Sequence, residues 1–370
     1  MKPPSLTIGI EEEYQIIDPK TRELKSYITQ FLEEGKLMMR EAVKAELHQS
    51  MIEVGTEICR TPLEAKNEII RLRRGVMELA AKHGLKIAAA GTHPFSSWIE
   101  QEITPFERYI GVWKDMRDLA HQLLIFGTHV HIGIEDKEFM VDAMNVSRYF
   151  MPHILALSTS SPFWMGRNTG LKSFRTTVFR RFPRTGVPEQ FESWSAYENF
   201  VNLLVKLNCI DNGKKIWWDV RPHPTFGTLE FRMFDVSTRV EEAVAIAALT
   251  QAIIVKLHRL YQGNMSWRLY RRALIEENKW RAARYGIEGK LIDFGKQTEK
   301  PASHLIREFL TWFLSDVLDD LGSRKEVEYA FDILENGSSA DRQLATFHKT
   351  GDLKDVVDQL IRESEEGVIE

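Results

Sequence analysis

Residues Thr7 to Ile17 alternate in polarity, as a half-buried strand does, yet Glu11, Glu12 and Glu13 stand consecutively inside it. A period of two puts Ile8, Ile10, Tyr14 and Ile16 on one face with Glu12. Gly9, Glu11, Glu13 and Gln15 fall on the other. Like charges side by side on a sheet are costly unless water or a cation neutralises them. Two readings follow. The strand is an edge with its acids in water, or Glu11 and Glu13 are ligands for a hard divalent cation such as Mg²⁺ or Mn²⁺, which prefers carboxylate oxygen.

Three further constellations have the same character. Glu46 and Glu53 lie in ELHQSMIEVGTE, where an extended segment spans about 45–59. Seven residues apart, they face opposite sides of a regular strand, so a bulge or break must intervene if both are to reach one site. Glu57 is an alternative, and plain surface acids are the simpler reading. Thr128-His129-Val130-His131-Ile132 places two histidines on one strand face, a pattern suited to ligation or catalysis. Thr228-Leu229-Glu230-Phe231-Arg232 places Glu230 beside Arg232, either as an ion pair or as a metal ligand next to an anion-binding guanidinium. Together they describe a sheet with one acid-lined polar face. So much carboxylate suits two or three divalent cations, and metal with arginine suits phosphoryl transfer.

The rest of the chain narrows the class. It has 370 residues, 43% hydrophobic and 28% charged, enough apolar content to rule out disorder. A net charge of −4 argues against nucleic acid or an anionic membrane as partner. The longest apolar run, Ala243 to Val255, is shorter than the ~20 residues of a membrane span and reads as a buried helix. Only Cys59 and Cys209 occur, without a CxxC, and Met1 to Ser5 shows no apolar leader. A cytoplasmic protein is therefore expected. P-loop, Rossmann, HExxH and GxSxG signatures are absent.

Helices are predicted over about 62–83, 105–123, 136–157 and 189–207. Strands are predicted over 86–90, 124–134, 214–220 and 225–235. Between them, 158–188 is irregular, arginine-rich and aromatic, which marks a functional loop. From Val240 the chain reads as helical, over about 240–262, 266–283, 302–320, 324–335 and 353–366. A basic stretch at 256–300 suits an anionic substrate, and the acidic region beyond 316 suits a solvated face. Phe309, Trp312, Phe313 and Val317 form apolar faces that fit either a homodimer contact or core. One α+β domain over 1–370 is expected, with 300–370 as its acidic helical C-terminal portion.

At these residues the sequence resembles the bacterial carboxylate–amine ligases of the glutamate–cysteine ligase 2 type. The resemblance rests on GIEEEYQIID (9–18), ELHQSMIEVGTEIC (46–59), GTHPF (91–95), GTHVHIGI (127–134), LSTSSPFWMGRNTGLKSFRTTVFRRFP (157–183), IWWDVRPHPTFGTLEFRMFD (216–235) and KWRAARYGIEG (279–289), in that order. Tyr14, where Phe is common, and Asn168, where Asp is common, depart from the pattern. The resemblance implies a glutamine synthetase-like fold, a curved antiparallel sheet forming a funnel covered by helices. It implies that Glu11, Glu13, Glu46, Glu53, His129 and Glu230 hold Mg²⁺ or Mn²⁺. It makes Arg232 the guanidinium that meets the transferred phosphoryl group, and places His131 beside nucleotide or substrate. Arg167 and Arg175 become candidates for a substrate carboxylate. The implied activity is ATP-dependent amide formation through an acyl phosphate, of the glutamate–cysteine ligase type, on small amino-acid substrates. A small-molecule guanidino-type kinase, a metal-dependent amide hydrolase and a non-catalytic nucleotide or metal sensor are the alternatives.

Overall fold

A computed structural model describes residues 4–32 and 42–369. Residues 1–3, part of the opening stretch read above as lacking a leader, lie outside it. Among the described residues the main sheet has seven strands: β1 (Ile8–Ile17), β2 (Val43–Ala45), β3 (Met51–Gly55), β4 (Lys86–Ala88), β5 (Gly127–Gly133), β6 (Val220–Pro222) and β7 (Thr228–Asp235). Their order is β6-β7-β5-β1-β3-β2, with β4 pairing the far end of β1, and every pairing is antiparallel. Register follows the alternation: Glu11 lies opposite His129, Glu13 opposite Glu53, and Glu230 opposite His131.

One face of the sheet is covered by helices. Helix α1 (Pro62–Lys82) begins where Thr61 accepts the Glu64 N–H at 3.2 Å, with Pro62 in a first turn that needs no N–H. Its Ile69, Leu72, Val76 and Leu79 are fully buried, each worth about 1.5–3 kcal/mol of apolar transfer. Arg73 on the same stripe would be expensive there alone. It meets Glu12, the odd residue on the core face of β1, at 2.7 Å, and donates to the Ser237 and Thr238 carbonyls at 2.8 and 2.7 Å. The Tyr14 hydroxyl also donates to Glu12.

Several expected elements differ. The segment 45–59 is not one strand: the chain reverses after Ala45 and returns as β3. The helix expected over 105–123 becomes α2 (Glu107–Met116) and one separate turn, because Arg117 adopts φ +49°. The next is split into α3 (Lys137–Ser147) and α4 (Met151–Leu157), the second starting with Pro152 in its first turn. Inside 158–188 lie a small hairpin (Phe163–Trp164 with Arg167–Asn168) and α5 (Phe174–Phe179).

Helix α6 (Trp194–Lys206) precedes β6, and α7 (Val240–Gln262) is buried along most of its length, as its apolar run requires. Helix α8 (Arg272–Tyr285) starts later than expected, and the hairpin Lys290–Asp293 with Thr298–Pro301 was not anticipated. The C-terminal layer is α9 (Ala302–Glu308), α10 (Ser315–Leu321), α11 (Arg324–Asn336), α12 (Ser339–Thr350), also unanticipated, and α13 (Leu353–Glu365). Phe309, Phe313 and Val317 are buried in this chain's own core, with Phe150 stacked on both Phe rings, so only Trp312 of that group faces outward. Among the described residues no helix is long and apolar enough to cross a membrane.

Candidate active site

The other face of the sheet lines a cavity of about 1120 Å³. Glu11 and Glu13 of β1, His129 of β5, Glu53 of β3, and Glu230 and Arg232 of β7 all open onto it. Glu46 joins them by a route that strand parity could not show. It sits just past the end of β2, where the chain doubles back, while Lys44 of β2 lies opposite Glu53. The reversal is the break that the spacing demanded. Glu57 is exposed and takes no part in the cavity wall.

Two groups of donors converge. Glu11, His131 and Glu230 bring one ligand atom each within 4.8 Å of one another, and so do Glu13, Glu46 and Glu53. In the first group, His131 rather than His129 completes the set. Its Nδ1 is held by the Thr228 hydroxyl at 3.0 Å, and its buried Nε2, 3.6 Å from Glu11, has no hydrogen-bond partner among the described residues. His129 lies just behind, with Nδ1 3.3 Å from Glu11, and burial followed by the Arg232 charge pulls it down to about 4. Burial pushes the Glu11 carboxyl up, but the two imidazoles overcome this and hold it well below the usual range.

The second group is charged against itself. Burial raises Glu13 to about 7, Arg175 opposes this, and Glu53 adds to it. Burial and the neighbouring carboxylates also raise Glu46 and Glu53. Lys44 reaches in at 3.2 Å from Glu11 and 3.1 Å from Glu53, and Gly127 donates its N–H to Glu13 at 2.6 Å. Carboxylates left in conflict and an orphaned imidazole nitrogen are the donor chemistry of a hard divalent cation, so these residues fit the metal that the motifs imply.

The cations are placed as carefully. Arg221 of β6 binds Glu230 through Nε at 2.7 Å, and Arg232 binds the same carboxylate. Arg221 went unnoticed in the sequence. Its signal was the cross-strand position opposite Glu230 in WDVRPHP. Arg175 enters from α5 and is nearly inaccessible. It crosses so close to Gly127 that a Cβ there would come within 2.2 Å of its Nη2, which is why the strand carries glycine. Asp235, at the end of β7, fixes the segment bearing Arg175. It accepts from the Ser160 N–H at 2.9 Å, the Ser161 hydroxyl at 2.6 Å and the Ser173 hydroxyl at 2.8 Å, and Ser161 in turn accepts the Arg175 N–H at 3.0 Å.

Arg167 is not brought to this site. It is exposed in the small hairpin and does not line the cavity. The basic stretch 256–300 does not line it either. Lys256 and Arg259 pair with Asp316, and Arg281 with Glu277 and Glu299, on the outside of the helical layer.

The fold and these motifs have clear counterparts. Over 98% of its length the chain resembles a bifunctional glutathione synthetase from Pasteurella multocida (TM-score 0.72, 14% identity), spanning about half of that protein, 53%. It also resembles a glutamate–cysteine ligase from Francisella tularensis solved with AMP (TM-score 0.69, 11% identity), covering 98% of this chain and 89% of the other. In sequence it is 61% identical over 362 residues to a protein named "Putative glutamate--cysteine ligase 2" from Herpetosiphon aurantiacus, covering 98% of this chain and 94% of the relative. A protein of the same name from Roseiflexus sp. is 62% identical over 98% of this chain and 95% of its own length. The model of glutamate-cysteine ligase family 2 matches residues 7–359, and the chain belongs to that family.

Proposed function

We propose that this chain is an ATP-dependent carboxylate–amine ligase of the glutamate–cysteine ligase type. The carrying observation is the convergence of two metal-donor groups, with Arg232 and Arg221 beside them, on one polar sheet face. Glu11, His131 and Glu230, backed by His129, would hold one divalent cation, and Glu13, Glu46 and Glu53 another. Bound there, Mg²⁺ or Mn²⁺ would spread the charge of the ATP phosphates.

A carboxylate does not condense with an amine in water, because its oxygen is a poor leaving group. The substrate carboxylate attacks the γ-phosphoryl group of ATP, and the amine then displaces phosphate from the acyl phosphate. Arg232, held in place by Glu230, stabilises the charge on the transferring group. Arg175 orients the substrate carboxylate from α5. The apolar wall made by Phe179, Phe182 and Trp217 limits water near the activated acid. The amine proton passes to a cavity carboxylate.

The test is ADP release by the purified protein with Mg²⁺, ATP and pooled amino acids, followed by mass spectrometry, beside Glu230→Gln. Amino-acid-dependent ADP and an amide product, both lost in the variant, are expected. A phosphorylated product instead would make the chain a kinase. Amide cleavage without nucleotide would make it a hydrolase, and nucleotide binding without turnover a sensor. With ¹⁸O in the substrate carboxylate, released phosphate should carry the label; unlabelled phosphate would sink the acyl-phosphate route.

A further inference from the structure

One void is not used by this mechanism. A chamber of about 300 Å³ adjoins the main cavity, and Val112, Asp115, Lys215 and Trp217 line both. Arg184 belongs to the smaller chamber alone and gives it its chemistry. Its Nε donates to the Lys215 carbonyl at 3.0 Å, and its guanidinium carbon lies 5.4 Å from the centre of the Trp217 ring. Its two terminal nitrogens have no hydrogen-bond or ion-pair partner among the described residues. Its backbone is held at φ +58°, a conformation costly for a side chain this large. A guanidinium held over an indole, with its two terminal nitrogens unpaired among the described residues, is a receptor for a carboxylate. Lys215, ion-paired with Asp211 at 3.4 Å, adds a second cation, and Asp115 is the one acid in the chamber wall among the described residues.

The rise of α2 along the wall shared by the two regions gives a scale for the ligand's length. Tyr109 marks the carboxylate end of α2, since its hydroxyl donates to the carbonyl of Ala45, next to Glu46, at 2.5 Å. Asp115 lies six residues further, about 9 Å along the helix axis at 1.5 Å per residue. Val112 makes this stretch of wall apolar, together with Phe182 and Trp217, whose ring centres are 5.6 Å apart. In a free α-amino acid the amine and carboxylate share one carbon, so it cannot reach both regions. Two or three extended residues span about 7–10 Å and can.

Resting on the ligase reading above, we propose that the acceptor is the N-terminal amine of a di- or tripeptide with an apolar side chain, its terminal carboxylate received by Arg184 and Lys215. The N-terminal amine nitrogen of the peptide attacks the carbonyl carbon of the acyl phosphate. The C–N bond forms as the C–O bond to phosphate breaks, phosphate leaves with the bonding pair, and the amine proton goes to a cavity carboxylate. The products are a glutamyl-type peptide, ADP and phosphate.

The full chain is assayed with ATP, Mg²⁺ and glutamate against cysteine, Leu-Gly and Leu-glycinamide, following ADP and product mass. Leu-Gly should exceed both others in kcat/KM by about tenfold or more, the worth of one charged hydrogen bond. Arg184→Gln should raise KM for Leu-Gly about tenfold with little change in kcat, leave Leu-glycinamide unaffected, and be partly rescued by Arg184→Lys. Should Arg184→Gln not fold, the wild-type ratio of Leu-Gly to its amide carries the test. Equal rates for the dipeptide and its amide, or a preference for cysteine, would overturn the peptide acceptor and leave the ligase standing. No ADP with any acceptor would remove both.

Discussion

Glu13 stands directly opposite Glu53 in the β1–β3 register, and both converge with Glu46. Burial lifts Glu13 to about 7, well above its ordinary 4.5. Without metal, the folded protein therefore keeps a proton that the unfolded chain releases. The stability this confers is fully present below about pH 4.5 and is lost as the pH rises through 7. Glu13→Gln removes that titration while leaving an oxygen for the Gly127 N–H. The metal-free variant should be more stable than the parent by about 1–3 kcal/mol at pH 8, with the difference shrinking to near zero by pH 4. Urea unfolding at the two pH values measures it. Mg²⁺ should raise the melting temperature of the parent much more than that of the variant. A variant that is no more stable at pH 8, or that responds equally to Mg²⁺, would show that Glu13 is an ordinary solvated acid.

Strands reveal themselves because each carries its polarity at a period of two, and for that reason β1, β5 and β7, with the faces of their acids and histidines, were readable from the sequence. Chain reversals left no such mark. The turn between β2 and β3 has no Asn-Gly or Asp-Gly pair, so 45–59 read as one strand and Glu46 seemed misaligned with Glu53. Arg117 breaks its helix without a glycine or proline to announce it. The segment 158–188 looked irregular because its order comes from Asp235, far away in sequence, gathering Ser160, Ser161 and Ser173. Arg175 could be suspected from its loop, but its position depends on that knot and on the missing Cβ of Gly127. Asp235→Asn keeps the shape but replaces one accepting oxygen with a donor, so one of the three donors loses its partner. It should cost about 1–3 kcal/mol of stability. Moving α5 should lower kcat/KM by about tenfold to a hundredfold. Gly127→Ala should reproduce the kinetic loss by displacing Arg175 directly. If both variants retain full activity, Arg175 does not orient substrate.

The sheet and its helical cover are joined by contacts that tie the two ends of the chain together. Arg22 pairs with Asp358 of α13, Lys86 with Glu365, and Arg342 with both Glu242 and Glu363, so part of the acidic C-terminal region is bonded to the body rather than solvated. Besides His129 at the cavity, three further imidazoles are enclosed in this body as neutral groups: burial pulls His48 and His93 down to about 3 and His153 to about 4. His93 is the most firmly placed. Its Nε2 faces the Arg22 carbonyl at 2.9 Å, and its Nδ1 accepts the Phe95 and Ser96 N–H groups at 3.2 and 2.9 Å, which fixes the proton on Nε2. In the unfolded chain such a histidine takes up a proton near pH 6.5, while in the folded protein it does so only near pH 3. Its contribution is therefore intact above pH 6.5 and drains away as the pH falls from there toward 3, by up to about 1.4 kcal/mol per pH unit. Glu13 works in the opposite sense over part of this range, so the parent's pH profile alone cannot isolate the imidazoles. His93→Gln, which keeps an acceptor and a donor, should lower the slope of unfolding free energy against pH by about one proton between pH 6 and pH 4. Urea titrations of the parent and the variant across that window measure the difference. Parallel slopes would mean that His93 is protonated in the folded protein and that the bonds to Phe95 and Ser96 are not made.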